Sequence, residues 1–193
     1  MRKLNLIVDC DDVLSRLVEF WVKFYNIENE DDKTVDDIKG WDIQNYLTKG
    51  TEEDLFDILN LGNFFRNVPS MPRAKLILRR LREEGHDITV VSDYTNPSQL
   101  ADKQYWLKTF MDIEKKDIMF GGKKQIVTGD IMIDDKPENL ENFDGIRILF
   151  SACHNKLATP ENSGYHFRCE NWWEVEELLL GKDSNLIEAM LRD

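Results

Sequence analysis

Four short apolar runs, each followed by a polar or acidic residue, constrain the fold of this chain more than any other feature of its sequence. The runs span residues 4–8, 88–91, 131–133 and 146–150, and the residues that follow them are Asp9, Ser92, Asp134 and Ser151. Each run has the length of a strand and is almost continuously apolar, as strands are when both faces of a parallel sheet are covered. The sequence therefore predicts a buried parallel sheet.

Helical patterns separate these runs. Helices are predicted over residues 73–84, over 97–111 and over Trp172–Leu180, and a short amphipathic helix is predicted to start at Ser184. Strands that alternate with helices are joined by right-handed crossovers, which predicts an α/β fold with a doubly wound, Rossmann-like parallel sheet. Ligands of such sheets bind at the carboxyl ends of the strands, where the polar residues named above are expected.

One long segment, residues 14–68, interrupts the alternation because it contains no convincing strand. Its apolar residues between Leu14 and Tyr25 recur at helical spacing, and Thr51 with Asp54 forms a capping box that predicts a second helix reaching Leu61. We therefore predict a small helical cap, inserted after the first strand and lying over the site. The Rossmann-like core would then comprise residues 1–13 and 69–193.

The composition limits the class of protein. The chain has 193 residues, 41% of them hydrophobic, and a net charge of −12, so it can build a core but does not favour a nucleic acid polymer as partner. Its three cysteines are an odd number without metal-like spacing, which indicates a reduced compartment. The N-terminus becomes acidic before a signal-peptide core can form, and no apolar run approaches the ~20 residues of a membrane span. A cytoplasmic protein without membrane contact is expected.

The polar groups at the strand ends carry the chemistry. They are Asp9, Asp11 and Asp12 after the first strand, Ser92 after the second, the pair Lys123 and Lys124, and Asp134 with Asp135. Each group alone is typical of a solvated turn, a helix cap or a surface charge. Together they bring carboxylates, a hydroxyl and an ammonium to one edge of a sheet, where like charges repel. Because all the ligands are oxygen atoms, a divalent cation that offsets the repulsion is expected to be Mg²⁺.

The same motifs, in this order and each after its own strand, resemble those of the haloacid dehalogenase-like phosphatase superfamily. Within it, the chain is similar to the cytosolic 5'(3')-deoxyribonucleotidase family over most of its length. The similar segments include LIVDCDDVL, the pair Trp41 and Asp42, FFRNVPSMPRA, DITVVSD, the helix with Lys103 and Trp106, GDIMIDDKPENL and NWWEVEELL. Two residues depart from the pattern: many relatives carry glycine in place of Asp12, and glycine often follows the proline where this chain has Arg73.

The resemblance implies roles for the first motif and for the metal ligands. Asp9 would attack phosphorus and form an aspartyl-phosphate. Strand alternation alone would turn Asp11 away from Asp9, whereas the resemblance implies that the chain bends and makes Asp11 the general acid and then the general base. Mg²⁺ would be held by Asp9, Asp134 and the main-chain carbonyl of Asp11. Asp135 would bind the metal through water or orient the lysine.

The resemblance also implies two phosphate-binding groups. The Ser92 hydroxyl would donate to a phosphate oxygen, and a lysine would neutralise the developing charge and keep Asp9 ionised. Lys124 is preferred to Lys123 for this role because its distance of ten residues from Asp134 fits the family better.

The substrate is the least constrained part of the prediction. The leading candidate is a nucleoside monophosphate, and the alternatives are a sugar or other small phosphate, a phosphomutase reaction, or a non-catalytic binding protein. Five aromatic residues of the insert are predicted to form mostly its core, with at least one lining the pocket: Trp21, Phe24, Phe56, Phe64 and Phe65. For His154, a polar turn is favoured over a place at the edge of the site. The resemblance is compatible with a homodimer.

Overall fold

The computed structural model describes residues 2–122 and 124–191 and contains a sheet of six strands, all parallel. The strands are β1 (Asn5–Asp9), β2 (Asp87–Ser92), β3 (Ile118–Phe120), β4 (Ile131–Asp134), β5 (Ile146–Phe150) and β6 (Phe167–Cys169). Their order across the sheet is β3-β2-β1-β4-β5-β6, so the chain winds outward first in one direction from β1 and then in the other. This order confirms the predicted doubly wound α/β sheet.

The helices predicted over residues 73–84 and Trp172–Leu180, and the one predicted to start at Ser184, are all present. The helices are α1 (Leu17–Asn29), α2 (Glu52–Asp57), α3 (Ala74–Glu83), α4 (Pro97–Trp106), α5 (Pro137–Leu140), α6 (Pro160–Ser163), α7 (Trp172–Leu180) and α8 (Ser184–Met190). A single π-helical turn, Leu107–Met111, continues α4 and completes the helix predicted over residues 97–111. No helix among the described residues is long and apolar enough to cross a membrane.

Successive residues of each inner strand pack against opposite sides of the sheet. Leu6 and Val8 of β1 belong to an apolar cluster formed with α3, α4 and α7, whereas Ile7 belongs to a second cluster that includes Leu140 of α5. Because both faces are covered, neither face of β1 can be polar, and this explains the continuous apolar runs.

Two of the six strands, β3 and β6, were not predicted from the sequence. Each has three residues and lies at an edge of the sheet, β3 beside β2 and β6 beside β5. Most of their residues are at least partly exposed. The apolar run of β3 is followed by Gly121 and not by the polar residue that marked the other runs, and β6 has no continuous apolar run because it contains Arg168.

The inserted segment has an apolar cluster of its own. The buried members of this cluster all lie between Val18 and Val68, and they come mainly from α1, α2 and the 3₁₀ turns that follow α2. The Thr51–Asp54 capping box is present, but α2 ends at Asp57, and a 3₁₀ turn, Ile58–Asn60, replaces the rest of the predicted helix.

The points where the chain leaves and re-enters the core lie side by side. Arg16 N donates to Pro69 O at 2.8 Å, and Met71 N donates to Leu14 O at 2.7 Å. The buried Trp172 contacts this junction, since its indole Nε1 donates to Val13 O at 2.8 Å. The next residue, Trp173, is 52% exposed, with the guanidinium of Arg73 over its ring.

We predict that Trp172→Phe destabilises the protein by about 1–3 kcal/mol, because the buried Val13 carbonyl loses its donor. The control is Trp173→Phe, which changes the neighbouring residue in the same way. It should cost less than about 1 kcal/mol, since only a surface cation–π contact is altered. Urea unfolding of both variants measures the difference, and equal losses would show that the hydrogen bond to Val13 is unimportant.

Candidate active site

Three of the predicted site residues end neighbouring strands. Asp9 is the last residue of β1, Ser92 of β2 and Asp134 of β4, and β1 lies between the other two strands. All three side chains are buried. The parallel order therefore brings them to one edge of the sheet, as the sequence predicted.

Lys124 joins two of these carboxylates. Its Nζ lies 2.6 Å from Asp9 Oδ1 and 3.1 Å from Asp134 Oδ2, and its side chain is only 8% exposed. Burial by itself lowers the pKa of Lys124, but the charges of Asp9 and Asp134 outweigh burial and raise it, so the ammonium stays charged. Lys123, the alternative lysine, lies outside the described residues.

Negative charge remains in excess beside this lysine. Carboxylate oxygens of Asp9, Asp134 and Asp135 all lie within 4.8 Å of one another, and all three residues are buried. Burial raises the pKa of Asp9, which Lys124 only partly opposes, and burial together with the charges of Asp9 and Asp134 raises the pKa of Asp135 well above its usual range. Carboxyl groups that resist ionisation because they are crowded fit a divalent cation, which stabilises them as carboxylates.

The two adjacent aspartates have different surroundings. Asp134 accepts hydrogen bonds from Lys136 N at 2.8 Å and from Asn139 Nδ2 at 3.0 and 3.1 Å, in addition to its contact with Lys124. Asp135 instead lines the cavity above the sheet edge and pairs with His154 Nε2 at 2.6 Å. Thus Asp134 contacts Lys124 directly, whereas the resemblance implied that Asp135 would either orient the lysine or bind the metal through water.

Asp11 and Ser92 meet at a second buried lysine. Lys103 Nζ donates to Asp11 Oδ2, and it lies 3.2 Å from Ser92 Oγ. The Asp11 side chain is 25% exposed and lines the cavity, whereas Ser92 is fully buried just behind the cavity wall. The chain does bend after β1, so Asp11 and Asp9 both face the cavity despite their spacing of two residues.

The cavity has a volume of about 260 Å³ and lies between the sheet edge and the insert. The core contributes polar and charged groups, with Asp9, Lys124 and Asp135 among them. The insert contributes mainly apolar side chains, which are Leu17, Val18, Trp21, Trp41 and Ile43. The site thus has a charged floor and an apolar roof.

Trp21 is the one member of the predicted aromatic set that lines this cavity. Phe24, Phe64 and Phe65 pack with one another and with Phe20 as the core of the insert, as predicted.

Three further wall residues were missed or misjudged. His154, for which a polar turn was favoured, lies in the wall, where the ring of Trp41 meets it edge to face at 4.8 Å. Lys136 Nζ covers the face of Trp41 at 4.1 Å. The sequence gives no local signal that joins these residues, since they come from distant parts of the chain.

Asp12 has a left-handed backbone conformation, and its side chain contacts the first turn of α1. Its φ of 53° is left-handed, a conformation in which glycine is unstrained and aspartate is tolerated. Its Oδ1 accepts a hydrogen bond from Val18 N at 3.1 Å, in the first turn of α1. This bond satisfies one of the main-chain amides at the start of α1 that have no partner within the helix.

The fold and site define the class of protein. A haloacid dehalogenase-like protein of Agrobacterium tumefaciens superposes with a TM-score of 0.64, at 13% identity, over 98% of this chain and 99% of that chain. A predicted phosphatase of Clostridium acetobutylicum superposes with a TM-score of 0.62, also at 13% identity, over 93% and 99%. The fold is that of the haloacid dehalogenase-like proteins, as the resemblance implied.

Closer relatives identify the family. A family model described as 5' nucleotidase, deoxy (pyrimidine), cytosolic type C protein matches residues 2–184. A 5'(3')-deoxyribonucleotidase of Clostridium acetobutylicum is 40% identical over 179 residues, covering 92% of this chain and 96% of that protein. Another from Bacillus subtilis is 33% identical over 182 residues, covering 93% and 100%. The chain belongs to this deoxyribonucleotidase family and is a phosphoric monoester hydrolase.

Proposed function

We propose that the protein is a Mg²⁺-dependent phosphatase that hydrolyses deoxyribonucleoside and ribonucleoside monophosphates through a phosphorylated Asp9. The observation that carries this proposal is the grouping of Asp9, Lys124 and Asp135 on the floor of a cavity with an apolar roof. The names of the relatives support the same reaction, since they are 5'(3')-deoxyribonucleotidases.

The residues that would hold Mg²⁺ are the three clustered aspartates, with the main-chain carbonyl of Asp11 as the resemblance implies. Asp9 and Asp135 face the cavity, whereas Asp134 already accepts several hydrogen bonds, so the surroundings favour Asp135 over Asp134 as the more available carboxylate. The bound cation would offset the charge of the phosphate and of the carboxylates around it.

In the first step, a carboxylate oxygen of Asp9 attacks phosphorus while the ester oxygen leaves with its bonding electrons. Asp11 gives a proton to that oxygen, which makes a nucleoside hydroxyl an acceptable leaving group. Lys124, whose ammonium lies 2.6 Å from the attacking carboxylate, would favour the ionised form of Asp9 together with the bound cation. Ser92, at the end of β2, is fully buried and does not line the cavity, so its assignment as a donor to a phosphate oxygen rests on the resemblance alone.

In the second step, Asp11 is a carboxylate and takes a proton from water. That water attacks phosphorus, the bond from phosphorus to Asp9 breaks, and inorganic phosphate leaves. Asp11 is suited to both steps because it lines the cavity from the loop directly after β1, within two residues of the nucleophile.

Residues 14–68 are assigned as the cap that selects the substrate. They supply the apolar roof, where the half-exposed Trp41 and the buried Trp21 offer aromatic surface to a nucleobase. A hexose phosphate has no aromatic ring to stack on this roof, so the lining favours a nucleotide.

Metal removal tests the role of the carboxylate cluster. Phosphatase activity should vanish in EDTA and return with Mg²⁺, while Ca²⁺ should substitute poorly because it prefers more ligands and longer bonds. Phosphate release from dTMP is the measurement. Full activity in the presence of the chelator would contradict the proposed mechanism.

Replacement of the nucleophile tests the covalent step. Asp9→Asn should fold and lose at least roughly 10³-fold in kcat, because no carboxylate remains to attack phosphorus. The matched control is Asp87→Asn. Asp87 is the first residue of β2, at the amino ends of the strands and away from the site, and its carboxylate is 62% exposed. This variant should keep full activity. A near-normal rate in Asp9→Asn would place the nucleophile elsewhere.

Substrate choice tests the apolar roof. Values of kcat/KM should be higher for dUMP and dTMP than for hexose phosphates, and Trp41→Ala should lower the values for the nucleotides about tenfold or more through lost stacking. The same variant should barely change turnover of a small alkyl phosphate. The control is Trp173→Ala, an exposed tryptophan of α7 that does not line the cavity. A clear preference for a sugar phosphate would overturn the nucleotide assignment.

A further inference from the structure

Lys103 is a buried cation that the reaction described above does not use. It lies in α4 with its side chain 6% exposed, and it does not line the cavity. An ammonium is costly to bury unless its charge and all three of its protons find partners. The partners of Lys103 therefore indicate why the fold retains it.

Each proton of the Lys103 ammonium has an acceptor. Nζ donates to Asp11 Oδ2, to Asp93 O at 2.7 Å and to Ser92 Oγ at 3.2 Å, and the ring of Phe65 covers it at 4.8 Å. With its protons committed in this way, Lys103 cannot bind a phosphate oxygen without giving up one of these bonds. Its arrangement is that of a group that holds other residues in place.

The helix that carries Lys103 is itself held firmly. Asp102 accepts a hydrogen bond from Arg66 Nε at 2.6 Å, and Trp106 Nε1 donates to Val68 O at 2.7 Å. These contacts flank Lys103 on α4 and tie the helix to the end of the inserted segment. The ammonium is therefore fixed relative to the loop after β1.

We propose that Lys103 is a positioning residue, whose ammonium holds the Asp11 carboxylate in the orientation needed for proton transfer and ties it to the end of β2 at Ser92. By engaging Oδ2, it leaves Oδ1 of Asp11 to exchange the proton with the leaving oxygen and then with water. This inference rests on the proposed role of Asp11 as general acid and base.

The dependence on the leaving group separates a positioning role from a structural one. Lys103→Met should slow phosphorylation of the enzyme by dTMP about 10²-fold, with KM almost unchanged, because a displaced acid serves the leaving oxygen poorly. Phosphorylation by p-nitrophenyl phosphate should change much less, because p-nitrophenolate leaves without a proton. Pre-steady-state release of nucleoside or p-nitrophenol measures both rates.

A double-mutant cycle gives the second readout. If Lys103 acts through Asp11, the variant Asp11→Asn with Lys103→Met should phosphorylate no more slowly than Asp11→Asn alone. The control is Lys108→Met, on the π-helical turn that continues α4, where an exposed ammonium pairs with Glu114. It should behave as the wild type. If circular dichroism shows that Lys103→Met is unfolded, Lys103→Gln replaces it, because glutamine retains a hydrogen-bond donor. Lys103→Gln should then show the same dependence on the leaving group and the same result in the double variant.

The outcomes also separate this inference from the mechanism on which it rests. If Asp11→Asn itself slows both substrates equally, the role of Asp11 as general acid fails. If Asp11→Asn shows the expected dependence on the leaving group, but Lys103→Met slows both substrates equally or multiplies the loss in the double variant, the mechanism stands and the positioning role of Lys103 is overturned.

Discussion

The ion pairs of Lys124 with Asp9 and Asp134 are the interaction on which the rest of the site depends. Because β1 and β4 are parallel neighbours, their carboxyl ends bring several buried carboxylates together. Their mutual repulsion, and the cost of burying each charge, would oppose this arrangement in isolation. The buried ammonium offsets part of that cost at 2.6 and 3.1 Å, and the charge that remains on the cavity side is where a divalent cation fits.

Two buried lysines contact different aspartates of the site. Lys124 lines the cavity and contacts the proposed nucleophile, so it can respond to charge that develops on a phosphate. Lys103 lies behind the cavity wall, and its partners are Asp11 and the end of β2. We infer from this contrast that one lysine serves the reacting groups directly and the other fixes the geometry of the acid.

The two residues that depart from the family pattern, Asp12 and Arg73, share a backbone conformation that favours glycine. Asp12 and Arg73 both have left-handed backbone, with φ of 53° and 67°, a conformation in which glycine is the least strained residue. Each side chain gains contacts that glycine would lack. Asp12 caps α1 through Val18 N, and Arg73 lies over the ring of Trp173 at 4.5 Å. Local contacts of this kind offset the strain of a non-glycine residue.

The sequence by itself determined the doubly wound sheet and the strand ends that meet at the site, because each depends on apolar periodicity or on the residue that ends a run. It did not reveal the edge strands β3 and β6, because no polar residue follows the apolar run of β3 and because Arg168 interrupts β6. Only the tertiary structure decided which of Asp134 and Asp135 faces the cavity, and that Trp41 meets His154 there. The contact of Lys103 with Asp11 joins residues 92 positions apart. Such contacts depend on how helices and loops pack together, and no local pattern of residues encodes them.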